Sequence, residues 1–169
     1  MKKYIFSISI IILALLTSQC TQSKNKILEK INNLENEINA SFPNPNPLKI
    51  KELHKLYIEY ANKYNEDTLS PHFIYKAAEA AVNIQEYDKA IDDLDLLINQ
   101  YPQHKLVPYA IFFKGFIYET FLNNKEEAER HYKTIIAKYK EHPLTKQAAF
   151  AIESLWMNDQ EIAKILEIE

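Results

Sequence analysis

The feature that most constrains this chain is one pattern of apolar residues that recurs three times. The residues are spaced three and four apart within each copy, which predicts an amphipathic helix. The copies lie 37 and then 38 residues apart, and a fixed period of this size indicates helical units that bury their apolar faces by stacking. The equivalent positions are Leu53, Tyr57, Tyr60, Ala61 and Tyr64, then Ala90, Leu94, Leu97, Ile98 and Tyr101, then Ala128, Tyr132, Ile135, Ile136 and Tyr139.

A helix start follows each copy of the pattern. A leucine stands five residues after each closing tyrosine, and prolines follow at positions 71 and 108. Proline is tolerated in the first turn of a helix, so Pro71 and Pro108 mark starts. We predict two full hairpins, Pro71 to Tyr101 and Pro108 to Tyr139. The predicted helices cover residues 48–64, 71–84, 87–100, 108–121, 125–139 and 146–156, with a short cap from Asp159 to Leu166.

The stretch EYDKAIDDLDLLINQYP resembles the second half of a tetratricopeptide repeat (TPR). The matching residues are Tyr87, Ala90, Leu94, Leu97 and Pro102, with Gly115, Tyr118 and Ala128 in the next unit. Lys114 stands where the family usually has leucine, and both spacings exceed the family's 34 residues. The resemblance covers roughly residues 48–157. It implies an all-α, short solenoid of helical hairpins.

The resemblance also implies a binding surface. In such repeats the first helix of each hairpin lines the concave side, where protein or peptide partners are bound. On this register the candidate groove residues are Tyr75, Asn83, Tyr109, Phe112, Phe116 and Glu119. The alternative is that these aromatic rings pack against adjacent helices.

The amino-terminal residues predict an exported protein. Two lysines precede an apolar run from Ile5 to Leu16, which has the length of a secretory h-region. The run ends in LLTSQC, which resembles a bacterial lipoprotein signal, with residues 1–20 as the signal peptide and Cys20 as the lipid-modified residue. The alternatives are an uncleaved membrane anchor and a chance unpaired thiol. Residues 21–24 lack the aspartate that resembles an inner-membrane retention signal. We therefore expect an outer-membrane protein that faces the periplasm.

Residues 21–42 are predicted to form a polar tether and an amphipathic helix. Its apolar stripe is Ile27, Ile31, Leu34 and Ile38. The stripe either packs on the repeat domain or forms a coiled coil that makes a homo-oligomer through residues 27–38. A coiled coil followed by such repeats resembles the periplasmic TolA-binding proteins. An acylated cysteine with such repeats resembles the outer-membrane barrel-assembly lipoproteins.

The stretch FPNPNP is predicted to be an extended spacer. Alternate prolines exclude helix and favour the polyproline conformation, and the alternative is a plain helix-breaking loop. Residues 43–47 would then separate the amino-terminal helix from a repeat domain at residues 48–169.

Charge and motif content argue against nucleic-acid binding and catalysis. Without residues 1–20 the chain carries 18 basic and 23 acidic groups, whereas phosphate binding needs clustered cations. No two of the five histidines are spaced as a helical zinc pair. We expect His72, His104 and His142 to be exposed, and Asp92, Asp93 and Asp95 to form a solvated helix face. No catalytic residue, cofactor or metal is predicted.

The sequence thus predicts a membrane-anchored periplasmic scaffold or adaptor. It would bind a protein or peptide in assembly or maintenance of the cell envelope, and the membrane only through the lipid on Cys20. The alternative is an oligomerising spacer lipoprotein without a groove ligand.

Overall fold

The computed structural model describes residues 22–157, which form a stack of seven α-helices without a strand in that range. The predicted all-α fold of stacked hairpins is confirmed, and the predicted helix bounds differ from the observed ones by at most two residues. The helices are α1 (residues 22–40), α2 (Pro47–Lys63), α3 (Ser70–Asn83), α4 (Tyr87–Gln100), α5 (Val107–Thr120), α6 (Lys125–Lys138) and α7 (Leu144–Ser154).

Three linkers that follow the closing tyrosines share one hydrogen-bonding pattern. Each tyrosine leaves the helical conformation with φ near −127° and ψ near 50°. Its carbonyl accepts the N–H of the third residue beyond it, at 2.8–2.9 Å. That residue's carbonyl accepts the N–H of the next helix start, at 2.9–3.0 Å. The linkers are Tyr64–Ser70, Tyr101–Val107 and Tyr139–Thr145, so the period read from the sequence is a structural repeat.

Small residues let the two helices of a hairpin approach closely. In the hairpin of α3 and α4, Ala78 and Ala90 are fully buried. In the hairpin of α5 and α6, Gly115 lies against Tyr132, and a Cβ atom on Gly115 would lie only 2.6 Å from Tyr132 Cε1. The Tyr132 ring, and not the backbone conformation at position 115, is therefore what excludes a larger residue there.

The apolar stripe of α1 packs on the repeat domain. Ile27, Ile31 and Leu34 are buried in one cluster with residues of α2 and α3, among them Tyr57 and Phe73. Of the two alternatives for this stripe, the structure shows packing within the chain. The stripe of α1 has the spacing of a coiled coil because a helix that packs on one side of a hairpin also buries residues three and four apart.

Polar contacts fix the direction of α1. Glu35 Oε1 accepts hydrogen bonds from Tyr57 Oη of α2, at 2.5 Å, and from Lys76 Nζ of α3, at 2.6 Å. Ser23, at the other end of α1, accepts from Lys63 Nζ at 2.7 Å. Since Lys63 ends α2, α1 and α2 are antiparallel. They form a further hairpin before the two predicted ones.

The predicted extended spacer is wrong in its first half. Residues 41–44 form turns, in which the N–H of Ser41 donates to the Ile38 carbonyl and the N–H of Asn44 donates to the Ser41 carbonyl. Ser41 precedes the prolines and Asn44 lies between two of them, so both have the N–H that a turn needs, and the packing of α1 on α2 and α3 requires the chain to reverse here. Asn46 is extended and its side chain caps α2, which begins at Pro47.

The aspartates of α4 also differ from the prediction. Asp92 is exposed, but Asp93 is buried and its carboxylate lies 2.7 Å from His54 Nε2 of α2. Asp95 accepts a hydrogen bond at 2.5 Å from Lys114 of α5, whose side chain is buried. A buried charge is costly without a partner. These two carboxylates therefore connect α4 to the helices on both sides.

Two predicted segments lie outside the described residues: the signal with Cys20, and the cap from Asp159 to Leu166. Within residues 22–157, no helix combines the length and the apolar character that crossing a bilayer requires.

We predict that Gly115→Ala destabilises the protein, although this change usually stabilises a helix interior by about 0.5–1 kcal/mol. The added methyl group would overlap the buried Tyr132 ring, and overpacking of this kind costs about 1–3 kcal/mol. Urea unfolding followed by circular dichroism measures the change. The same substitution in a Tyr132→Leu background is the control and should cost less. Equal stabilisation in both backgrounds would contradict the close contact.

Candidate functional site

The first helices of the successive hairpins, α1, α3 and α5, together with α7, carry two clefts. One cleft, of about 500 Å³, lies between α5 and α7 over a side chain of α6. The other, of about 710 Å³, lies between α1 and α3 and is closed at one side by the proline-containing turn. We call them the α5–α7 cleft and the α1–α3 cleft.

The α5–α7 cleft has aromatic walls and a polar rim. Phe116 of α5 and Phe150 of α7 are 39% and 46% exposed, so large parts of both rings face solvent. Exposed rings of this size within a cleft mark a surface suited to a partner. The lining residues are Phe112, Phe116, Glu119, Thr120, Tyr132, Lys146, Gln147, Phe150, Ala151 and Ser154.

The floor of the α5–α7 cleft is fixed by a hydrogen bond. Tyr132 Oη donates to Glu119 Oε2 at 2.6 Å. Burial and the adjacent Glu119 carboxylate both raise the pKa of the Tyr132 phenol, so it remains a neutral donor. The Phe112 ring packs on Tyr132 with a centroid distance of 5.1 Å. Glu119 and Phe112 are thus held in place before any partner arrives.

The α1–α3 cleft is more polar. Asn39 of α1 and Asn83 of α3 line it together with Glu79, while Phe42 and Pro43 of the turn supply apolar surface. Burial raises the pKa of the Glu79 carboxyl, with the charge of a nearby lysine acting in the opposite direction. This cleft presents hydrogen-bonding groups beside an apolar turn.

Aromatic contacts connect α3 to the α5–α7 cleft. The Tyr75 and Phe113 rings lie 5.8 Å apart, and Phe113 and Phe116 lie 6.3 Å apart. Burial, followed by the charge of Glu79, raises the pKa of Tyr75 to about 12. Tyr75 therefore stays neutral and contributes to the packing of α3 against α5.

The predicted groove residues do not form a single groove. Phe112, Phe116 and Glu119 lie together in the α5–α7 cleft, and Asn83 lies in the α1–α3 cleft. Tyr75 is half-buried against Phe113, as the alternative of packing between helices expected. The Tyr109 ring is 42% exposed and lies edge-on to His142 at 5.1 Å.

Sequence reasoning missed the contribution of α7 to the cleft. Phe150 lies at the register position of Phe112 and Tyr75 in the earlier units, so extending the period by one more copy would have found it. Lys146 and Gln147 precede it by one turn of the same helix. No pattern of this kind identifies Phe42, because its turn belongs to no repeat.

Three of the five histidines have structural roles at linkers or in packing. The Nδ1 atoms of His104 and His142 accept the N–H groups of Leu106 and Leu144, at 3.3 and 3.2 Å. His72 packs its ring edge-on to His104 at 5.3 Å. All three are partly buried, so the prediction that they are exposed is wrong. His104 and His142 thus have the same role as an acceptor two residues before a leucine, a role that Asp67 has before Leu69.

The remaining two histidines are buried. His54 pairs with Asp93, and His131 stacks on Tyr118 with ring centroids 5.5 Å apart. Burial and the charges of Lys114 and Arg130 lower the pKa of His131 to about 4. Within residues 22–157, no three histidine, cysteine or acidic side chains are grouped so as to hold a metal ion.

One repeat of the chain matches a known family. Residues 73–104, which cover nearly all of α3, the whole of α4 and part of the next linker, match the tetratricopeptide repeat family. No curated protein matches the chain significantly. The fold and the matched repeat together support a TPR-like helical repeat protein, and tetratricopeptide repeats are typically non-catalytic scaffolds for protein–protein contacts. The resemblance to TolA-binding proteins and barrel-assembly lipoproteins stays a prediction from the sequence.

We predict that His131 makes the protein less stable as the pH falls from about 6.5 to about 4. In this interval the unfolded chain binds a proton that the folded His131 does not, so protonation favours unfolding, by up to about 3 kcal/mol at the lower end. Urea unfolding at pH 7 and pH 4.5 for wild type and His131→Gln measures the effect. Carboxylates titrate in both proteins, so the difference between their pH dependences isolates His131. Equal pH dependences would contradict the assignment.

Proposed function

We propose that this protein is a scaffold that binds a protein or peptide partner in the α5–α7 cleft. The observation that carries the proposal is the pair of half-exposed rings, Phe116 and Phe150, on opposite walls of a 500 Å³ cleft. Aromatic anchors that become fully buried supply most of the binding energy in protein interfaces. The family match supports a protein partner, since TPR-like proteins typically bind proteins.

The rim of the cleft supports a partner with both apolar and polar groups. Lys146 and Gln147 of α7 line the cleft together with Glu119 and Thr120 of α5, so charged and amide groups stand beside the rings. An apolar side chain of the partner would enter between the rings while its backbone meets the polar rim, as in peptide recognition generally. Because Tyr132 already holds Glu119, little ordering of the rim is needed on binding.

We further propose that the scaffold is anchored by a lipid on Cys20 to the bacterial outer membrane, that it faces the periplasm, and that it serves assembly or maintenance of the envelope. The support is the sequence LLTSQC after an apolar run. Helices α1 to α7 pack in chain order, with α1 at one end of the described stack and the α5–α7 cleft at the other. An anchor that precedes α1 would leave this cleft on the side of the stack away from the anchor.

The alternative, an oligomerising spacer, would have to oligomerise through a surface other than the predicted apolar stripe of α1. The stripe of Ile27, Ile31 and Leu34 is buried against α2 and α3. A coiled coil through residues 27–38 would have to remove α1 from that cluster and expose both apolar surfaces. Binding in the cleft is therefore the function that the geometry favours.

We predict that Phe116→Ala with Phe150→Ala lowers partner recovery about 30-fold or more, because losing an anchor of this kind costs about 2 kcal/mol or more. Crosslinking in cell envelopes, followed by quantitative mass spectrometry, measures the recovery of each captured protein. Phe42→Ala with Leu48→Ala is the matched control, since it removes even more exposed apolar side chains far from the cleft. Equal losses in both variants, or in neither, would contradict the site, provided that circular dichroism shows both variants folded.

We predict that Cys20→Ser moves the protein from the membrane fraction to the soluble periplasmic fraction. Several acyl chains would hold the wild type, at about 0.8 kcal/mol for each buried CH₂ group. Fractionation with immunoblotting measures the distribution, and Ser18→Ala is the control. If Cys20→Ser stays in the membrane fraction although its mobility on the immunoblot shows that the signal has been removed, the anchor is wrong, whereas the cleft proposal is judged by the crosslinking experiment alone.

A further inference from the structure

The two clefts share one architecture. Tyr57 and Tyr132 stand at equivalent positions of the repeated pattern, and each lines one cleft. Tyr57 Oη donates to Glu35 of α1 at 2.5 Å, as Tyr132 Oη donates to Glu119 of α5 at 2.6 Å. Equivalent side chains of a stacked repeat lie on the same side of the stack. Both clefts therefore open on one side of the molecule.

The second walls of the clefts use the same register positions with different chemistry. Counted from the leucines at positions 69 and 144, the seventh and tenth residues are Lys76 and Glu79 in α3 but Ala151 and Ser154 in α7. The α1–α3 cleft thus has charged groups where the α5–α7 cleft has small side chains.

The charges of the α1–α3 cleft do not cancel. Lys76 Nζ lies 2.6 Å from Glu35 Oε1, so these two charges neutralise each other. Glu79 is exposed, and no described residue lies at hydrogen-bonding distance from its carboxylate, although the charge of Lys76 acts on it. Asn39 and Asn83 line the same cleft and add amide oxygens, which accept hydrogen bonds. The cleft therefore presents acceptor groups with a net negative charge.

Glu79 lies close to the aromatic anchors of the α5–α7 cleft. Glu79 and Phe116 occupy the same register position, ten residues after a leucine, in the first helices α3 and α5. The rings of Tyr75 and Phe113 connect these two helices, with centroids 5.8 Å apart. Packed helices lie about 8–10 Å apart, and an extended peptide covers that distance in about three residues. One bound segment can therefore reach both clefts.

We propose that the partner bound in the α5–α7 cleft continues over α3 and places a basic side chain, arginine or lysine, in the α1–α3 cleft against Glu79 and Asn83. The inference rests on the proposed function, since the anchor between Phe116 and Phe150 positions the rest of the segment. A guanidinium or ammonium group donates several hydrogen bonds and accepts none, so it complements a carboxylate beside amide oxygens. One cleft would select an apolar residue of the partner, and the other its charge.

A library of short random peptides displayed on phage is the probe, because it contains apolar and basic residues at every separation. We would select the library against the purified protein and sequence the bound peptides. Glu79→Gln removes the charge and keeps the shape of the side chain. The matched control is Glu59→Gln, which removes one charge from an exposed residue of α2 outside the lining of both clefts. Circular dichroism checks that each variant is folded, and Glu79→Ala replaces Glu79→Gln if the latter is not.

Selection on the wild type should enrich a basic residue about two to five positions from an apolar one. Glu79→Gln should keep the apolar residue and lose the basic one, and Glu59→Gln should select as the wild type does. Glu79→Lys should enrich an acidic residue in place of the basic one. A synthetic peptide from the wild-type selection should bind Glu79→Gln about fivefold more weakly than it binds Glu59→Gln.

Two outcomes would overturn this inference and leave the α5–α7 cleft proposal intact. One is an enriched apolar residue without a basic residue at a fixed separation. The other is the same basic preference in Glu79→Gln as in Glu59→Gln, which would indicate attraction to the acidic protein as a whole. Peptides that bind Phe116→Ala with Phe150→Ala as tightly as the wild type, or the absence of any enriched peptide, would contradict the proposed function and this inference together.

Discussion

Close contact between paired helices is the constraint on which the rest of this structure depends. Gly115 admits the Tyr132 ring, and Ala78 with Ala90 allows the same approach in the preceding hairpin. Protein interiors are packed densely, so one added or removed methyl group at such a contact disturbs the packing of both helices. The contact also positions the cleft, because the Tyr132 ring that fills the space beside Gly115 is the ring that forms the cleft floor and holds Glu119.

Charged residues add specificity to this packing. Helix α4 presents Asp93 to His54 on one side and Asp95 to Lys114 on the other. Lys114 is buried, and this is tolerated because Asp95 is within hydrogen-bonding distance. Both ion pairs form with α2 and α5 as the neighbours of α4. These two ion pairs thus contribute to the order in which the helices pack.

The sequence predicted the helices well because their signals are local. Prolines at helix starts and a closing tyrosine at helix ends define each unit within a few residues. The role of α1 could not be decided in the same way, since the spacing of Ile27, Ile31 and Leu34 suits a coiled coil and a hairpin helix equally. Burial of His54 and Asp93 was missed for a related reason: a pair 39 residues apart gives no local pattern. Half of the candidate groove residues were found together in one cleft because Phe112, Phe116 and Glu119 lie on successive turns of one helix.

The three matching linkers have a consequence for how such a chain can change its length. The hydrogen bonds that end one unit and begin the next are made by the linker itself, so a segment cut between two linkers carries the same connections at both ends. Insertion of a copy of residues 70–106, or its removal, would preserve the backbone hydrogen bonds of the remaining linkers. Duplication or deletion of a gene fragment of this size could therefore lengthen or shorten the stack without a change in its terminal helices. The distance between the two ends of the molecule could then change during evolution by whole units.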